Sequence, residues 1–192
     1  GKIGCVFKAD GTKQEFQASP DSAFKQWPIV ILVNQYTRAE AEFVAAALED
    51  NNRAIIVGQQ SAGNGYSRRA VALPDGLGGI MLRTELMTRA DGRPLQRPLT
   101  PKPSVANALL PPDRHSPPDT ASGDWGVTPK DGNVVKMSNE QFRKLLAWRN
   151  EQQVIGRPSN KQIPAPDDPQ LERAMEILKT KIARQSEKTA LD

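Results

Sequence analysis

Short apolar runs alternate along the chain with polar breaks rich in Gly and Pro, and their spacing predicts a mixed α/β protein. Lys2–Phe7 and Lys13–Gln17 are β-like, and Asp10-Gly11 between them is a hairpin turn signal. Ile29–Val33 is a continuous β-branched and Leu run, which suits a strand buried on both faces. A helix is expected from Thr37, because Thr37 and Glu40 have capping-box spacing. Its body, Phe43–Leu48, is Ala-rich and can approach a sheet closely, and Asp50-Asn51-Asn52 breaks it. Ala54–Val57 is a second buried strand, ended by Gly58. Strand, helix and strand in this order predict a parallel pair with a right-handed crossover.

Ser67–Leu73 and Gly79–Thr84 are β-like runs around a Pro74-Asp75-Gly76 turn. Nine prolines between Pro94 and Pro129 mark that stretch as a loop, in part disordered. Ser138 and Gln141 form another capping box. The helix that follows carries Phe142, Leu145 and Leu146 on one face with Trp148 beside them, and should stop near Gly156. Arg157–Asp167 reads as a linker. The last helix takes Asp168 as its cap and Pro169 at its first position. Leu171, Met175, Leu178 and Ile182 give it an apolar stripe of period near 3.6. That stripe is expected to dock within the chain, with a partner as the other option. No internal repeat is visible.

Composition narrows the function. The 192 residues suffice for one core-bearing domain with an appendage, and mean hydropathy is −0.56. No apolar run reaches the ~18 residues of a membrane span. Net charge is +4, but the loose run Arg83, Arg89, Arg93, Arg97 has no interleaved aromatics, so no nucleic-acid partner is expected. Cys5 is the only Cys and His115 the only His, which excludes an intrachain disulfide and argues against a metal cluster or Cys/His dyad. No cofactor is expected. The start, Gly1-Lys2-Ile3-Gly4-Cys5, has neither an initiator Met nor a signal-peptide pattern and reads as a cut or processed end.

Trp27–Arg69 reads WPIVILVNQYTRAEAEFVAAALEDNNRAIIVGQQSAGNGYSRR. This segment resembles the active-site region of the tail-specific, or C-terminal processing, serine proteases of peptidase family S41. In that family an apolar strand ends in Asn and enters a helix through a Ser-Ala-Ser-Glu type motif. An Arg-Ala strand and a Gly-Lys-Gly turn follow. Asn34, Glu42, Asp50, Arg53-Ala54, Gly58, Gly63 and Gly65 match. The resemblance places the family's nucleophilic Ser on Ala39, its general-base Lys on Asn64 and its assisting Gln on Arg68. It places Glu40 beside the oxyanion site, where the family uses a backbone N–H, with Gly63 and Gly65 flanking the substrate region.

The chemistry of those positions is thus missing. Ala39 has no hydroxyl to acylate, and Asn64 is no base at neutral pH. No Lys lies between Gln26 and Pro101 to replace it. A charged Arg68 accepts protons poorly. Ser61, Ser67 and Thr37 lie nearby as substitute nucleophiles, but as turn and capping residues they are satisfied without catalysis.

The resemblance continues through Leu82–Pro94, with Ala90-Asp91 in place of the family's Pro-Ser turn. It includes Asp124-Trp125-Gly126-Val127-Thr128-Pro129, with Lys130 in place of a closing Asp, and Asp168-Pro169-Gln170-Leu171. It implies an α/β fold, a partial crotonase-like S41 core of strand-helix-strand layers with C-terminal helices. The implied organisation is a core over 1–156, with a Pro-rich loop at 94–129, a linker at 157–167 and a terminal helix at 168–192. The family's PDZ domain and first part of the protease core are expected upstream. The first functional expectation is a degenerate, non-catalytic S41 domain binding peptide tails, a partner protein or its own PDZ-bearing N-terminal portion. The alternative is the C-terminal part of an active tail-specific endopeptidase with a Ser/Lys mechanism that needs that N-terminal portion. A third is a module that oligomerises through its last helix. An extracytoplasmic location is implied by the family.

Overall fold

Two sheets with a helix between them build the chain. The computed structural model describes residues 1–21, 24–98, 125–130, 132–152 and 164–189. His115, Asp124, Gly156, most of the Pro-rich stretch and residues 157–163 of the linker lie outside the described residues. β1 (Lys2–Lys8) and β2 (Lys13–Gln17) pair antiparallel. At their turn Asp10 Oδ1 accepts the Thr12 N–H at 2.8 Å. β5 (Tyr66–Ala72) and β6 (Gly79–Thr88) form a second hairpin, and β6 pairs with β1. The sheet order is β2-β1-β6-β5.

The second sheet pairs β3 (Val30–Val33) in parallel with β4 (Ile55–Gly58), and α1 (Glu40–Asp50) crosses between them. This is the strand-helix-strand unit expected from the sequence. β3 lies inside the expected run, and β4 starts one residue later than expected and takes in Gly58. The Ala-rich face of α1 is the reason the layers fit: Ala45 and Ala46 are each 1% exposed. They join Val6, Val33, Ile56, Met87, Leu95 and Val127 in one core. Phe43 on α1 meets Phe16 on β2 edge to face, with ring centroids 6.2 Å apart. Such a pair adds about 1 kcal/mol beyond its area burial. Gly58 ends β4 at φ 124, and a Cβ there would stand 2.1 Å from Val33 O.

The start of α1 differs from expectation. Helical backbone begins at Glu40, three residues past Thr37. Ala39 stands at φ 51 and ψ −122, which no helical residue adopts. Thr37 turns its hydroxyl to the loop before the helix, accepting the Asn34 N–H at 3.1 Å. The other expected caps form. Ser138 and Gln141 exchange both capping-box bonds at the start of α2 (Asn139–Gln152). Asp168 Oδ1 accepts the Leu171 N–H at 3.0 Å at the start of α3 (Pro169–Thr189).

α3 packs against β3 and β4. It does so through Gln170 and Ala174, both 4% exposed. The stripe expected to dock does so only in part: Leu178 is half-buried, while Leu171, Met175 and Ile182 are exposed. The physical reason is polar. Gln170 donates to Val135 O at 2.9 Å, and that bond sets the rotation of the helix.

A buried ion cluster closes the fold. Arg89, at the end of β6, is 5% exposed. Its Nε lies 3.1 Å from both Asp50 oxygens, its Nη2 lies 2.6 Å from Glu49 Oε2, and its Nη1 donates to Gly126 O at 3.0 Å. One guanidinium thus ties the end of α1 to β6 and to the returning segment at 126. Arg89→Met leaves Glu49 without its cation and Asp50 with only the more exposed Arg93, 3.6 Å away. It is expected to cost about 3–5 kcal/mol, read as a lower urea midpoint.

Candidate functional site

The positions singled out from the sequence meet at the carboxyl ends of β3 and β4, where open α/β sheets characteristically place their sites. Asn34 leaves β3, and its Oδ1 accepts the Tyr36 N–H at 2.9 Å. The chain then turns through Thr37 and Arg38 to Ala39. On the other side, the turn after β4 runs from Ser61 to Gly65. Ala62 N–H donates to Thr37 O at 2.9 Å and stitches the two loops together.

Glu42 holds the site. It lies at the third position of α1 and is 0% exposed. Its Oε2 accepts the N–H of Ala39 at 3.1 Å and of Asn64 at 2.8 Å. Its Oε1 accepts the Gly63 N–H at 2.7 Å and the Ser61 hydroxyl in a short hydrogen bond. Ala39 and Asn64, 25 residues apart in sequence, therefore bind one and the same oxygen. Ser61 Oγ in turn accepts the Val127 N–H at 2.8 Å. Burial pushes the Glu42 carboxyl above its usual range, against the pull of the Ser61 hydroxyl and the three N–H donors.

Gly63 must be Gly. It stands at φ 67, and a Cβ would come within 2.4 Å of the Trp125 ring and 2.8 Å of Arg97 Cβ. Gly126, at φ 64, likewise lets the closing segment approach, since a Cβ would stand 2.6 Å from Ser61 Oγ. Trp125 and Val127, 3% and 0% exposed, seal the site from below.

Ala39 sits in a backbone region that non-Gly residues rarely enter, and such strain gathers at functional turns. The geometry presents its Cβ at the head of α1, yet that Cβ carries nothing. Glu40 is exposed and does not cap the helix; its Oε1 accepts the Ser67 hydroxyl at 3.2 Å. Arg68 lies one strand step further on β5, and its Nη2 donates to Tyr66 Oη at 2.7 Å. The substitute nucleophiles are all engaged. Ser61 is 0% exposed between Glu42 and Val127, Thr37 is bound to Asn34, and Ser67 is bound to Glu40.

The sequence profile of peptidase family S41 matches residues 3–105. The chain belongs to peptidase family S41. A carboxyl-terminal-processing protease of Synechocystis sp. is 41% identical over 68 residues, which are 35% of this chain and 16% of that protein. A carboxy-terminal-processing protease of Bartonella bacilliformis is 32% identical over 97 residues, 48% of this chain and 22% of that protein. The chain thus aligns with less than a quarter of the length of these relatives. Among solved structures, the photosystem II D1 C-terminal processing protease superposes with a TM-score of 0.49 at 22% identity, covering 73% of this chain and 28% of the other.

Sequence reasoning found Glu42 as a matching position but not its role. The available signal was a second Glu, at the third position of an Ala-rich helix, next to the residues that pack in the core. Ser61 was weighed as a nucleophile and is instead a buried strut. The place of Trp125 and Gly126 beneath the Gly turn had no local signal at all.

Two measurements probe this site. Ala39→Gly relieves the positive φ and is expected to raise the urea midpoint by the equivalent of about 1 kcal/mol. Glu42→Gln faces an amide NH₂ toward backbone donors and is expected to cost about 2 kcal/mol. The sign of its pH dependence follows from the raised carboxyl. A group titrating higher when folded contributes stability that is fully present below its unfolded pKa and is lost as pH rises through the folded value. The stability gap between the parent and the non-titrating Gln variant should therefore shrink as pH rises above the ordinary carboxylate range. A gap that widens instead would show that Glu42 is held ionised.

Proposed function

We propose that this chain is a non-catalytic member of its family that holds the C-terminal tails of other polypeptides at the former working site. The observation that carries this reading is Ala39. Its strained φ of 51 keeps the shape of a nucleophile turn with no nucleophile on it. Asn64 and Arg68 point the same way, since neither replaces a neutral Lys as proton acceptor. Three coordinated departures at working positions, within a Glu42 network that is complete, fit retained architecture and lost chemistry.

The ligand class follows from the relatives, which are named for processing carboxyl termini. Their substrates come to this chain as tails to bind. An extracytoplasmic or lumenal setting goes with the same reading, since other relatives are named as chloroplastic enzymes. No helix among the described residues is long and apolar enough to cross a membrane.

The test is a mass-spectrometric peptidase assay with unstructured peptides ending in apolar residues. The unmodified chain is expected to leave them intact over the time in which an active relative digests them. An Ala39→Ser/Asn64→Lys variant runs alongside to ask whether the geometry alone can support turnover. Cleavage by the unmodified chain, at any site in the tail, would overturn the proposal and return Ser61, Ser67 and Thr37 to contention.

A further inference from the structure

Two arginines near the former working site are arranged in a way that structure alone does not favour. In the register of the β5–β6 hairpin, Arg68 stands directly opposite Arg83. Like charges so placed destabilise a sheet. Both guanidinium groups converge on one ring. Arg83 Cζ lies 3.9 Å from the Tyr66 centroid and Arg68 Cζ lies 5.1 Å from it, while Arg68 also donates to the Tyr66 hydroxyl. Tyr66 is 9% exposed, so the two cations rest on a fixed platform.

The usual remedy for such a pair is a carboxylate, and the fold does not supply one. Among the described residues, no acidic side chain forms an ion pair with Arg68 or Arg83. Glu85 faces Ser67 in the register, and Glu40 holds the Ser67 hydroxyl. A guanidinium has five N–H donors in a planar fork that matches a carboxylate. Attraction to the Tyr66 face holds both forks in place but uses few of those donors.

Among the described residues, no strand pairs with the outer side of the strand that carries Arg68. β5 is an edge of its sheet. Leu73 donates its N–H to Gly78 O, across the hairpin. By the alternation of an antiparallel strand, the N–H groups of Ala72 and Ala70 therefore point away from β6. An extended polypeptide can add along such an edge. The edge runs back to Arg68, and beyond it Leu95 and Gln96 pack against Gly65.

We propose that Arg68 and Arg83, braced on Tyr66, receive the free α-carboxylate of an extended peptide lying along β5. This rests on the tail-binding reading above and names the group that would give it polarity. Arg68 stands where the family has a neutral Gln, so a residue that once served chemistry now serves recognition. The chemistry the clamp recognises is a planar oxyanion. A polypeptide terminus is favoured over a free ion because only a polypeptide can also use the open strand edge.

The experiment measures fluorescence anisotropy of an N-terminally labelled Ser-Gly-Ser-Gly-Ala-Val-Ala-Ala peptide titrated with the full chain. The free acid is compared with the same peptide carrying a C-terminal amide. Arg68→Gln and Arg83→Gln variants are tested in parallel, with their urea midpoints as the check on folding; both residues are exposed. The acid is expected to bind on the order of tenfold more tightly than the amide, the range of a charge-assisted hydrogen bond. Either variant should abolish that preference while the affinity for the amide is kept. Equal binding of acid and amide would overturn the clamp and leave tail binding standing. Binding of neither would overturn both. Inorganic phosphate in excess forms the last arm. If it displaces the acid peptide more effectively than acetate does, the pair is a general oxyanion site and the proposed terminus receptor is wrong.

Discussion

A single buried carboxylate sets what the rest of the site can be. Glu42 has no contact with solvent, yet it accepts hydrogen bonds from Ala39, Ser61, Gly63 and Asn64. Removing a carboxylate from water is costly, and burial accordingly pushes this one above its usual range. Four donors offset that cost only if all four are in place. That condition fixes the turn before α1, the turn after β4 and, through Ser61, the position of Val127. The geometry is cooperative: no donor can leave without stranding an acceptor inside the protein.

The shape of this site does not depend on the side chains of Ala39 and Asn64 at its two turns. The groups that hold the site together are Glu42, three backbone N–H groups and the Ser61 hydroxyl, none of which depends on the side chains at positions 39 and 64. Ala39 and Asn64 contribute their main-chain nitrogens whatever they carry. Substitution there leaves the network untouched, whereas substitution at Glu42, Gly63 or Gly126 would break it. The strain at Ala39 survives for the same reason. Its N–H is bound to Glu42 and Phe43 N–H is bound to its carbonyl, so the positive φ is imposed from both sides.

The layers were legible in the sequence because they depend on local pattern. β-branched runs gave the parallel pair, turn residues gave the hairpins, and Asp168-Pro169 and Ser138/Gln141 gave the starts of two helices. Two features were not legible. The capping spacing of Thr37 and Glu40 pointed to a helix start three residues early, because what stops the helix short is the pull of Glu42 on Ala39, a contact with the core rather than with neighbours. The face of α3 that docks was misread because hydrophobicity suggested Leu171 and Met175, while the helix is oriented by the Gln170 amide on Val135 O. In both places a buried polar contact between distant segments overrode a correct local signal.

The same division separates what is constrained from what is free to change around the site. Glu42 and the Arg89 cluster stand inside, where each charge must be matched by groups already present. Arg68 and Arg83 stand on the outer part of a hairpin, where water can stabilise a charge left unmatched by the fold. New recognition can therefore arise on β5 without disturbing the interior. An arginine pair on an aromatic platform is tolerated there because both groups reach water, and it leaves donors free. The interior carboxylate keeps the architecture of the family, and the solvated strand beside it is where a different use of that architecture can be written.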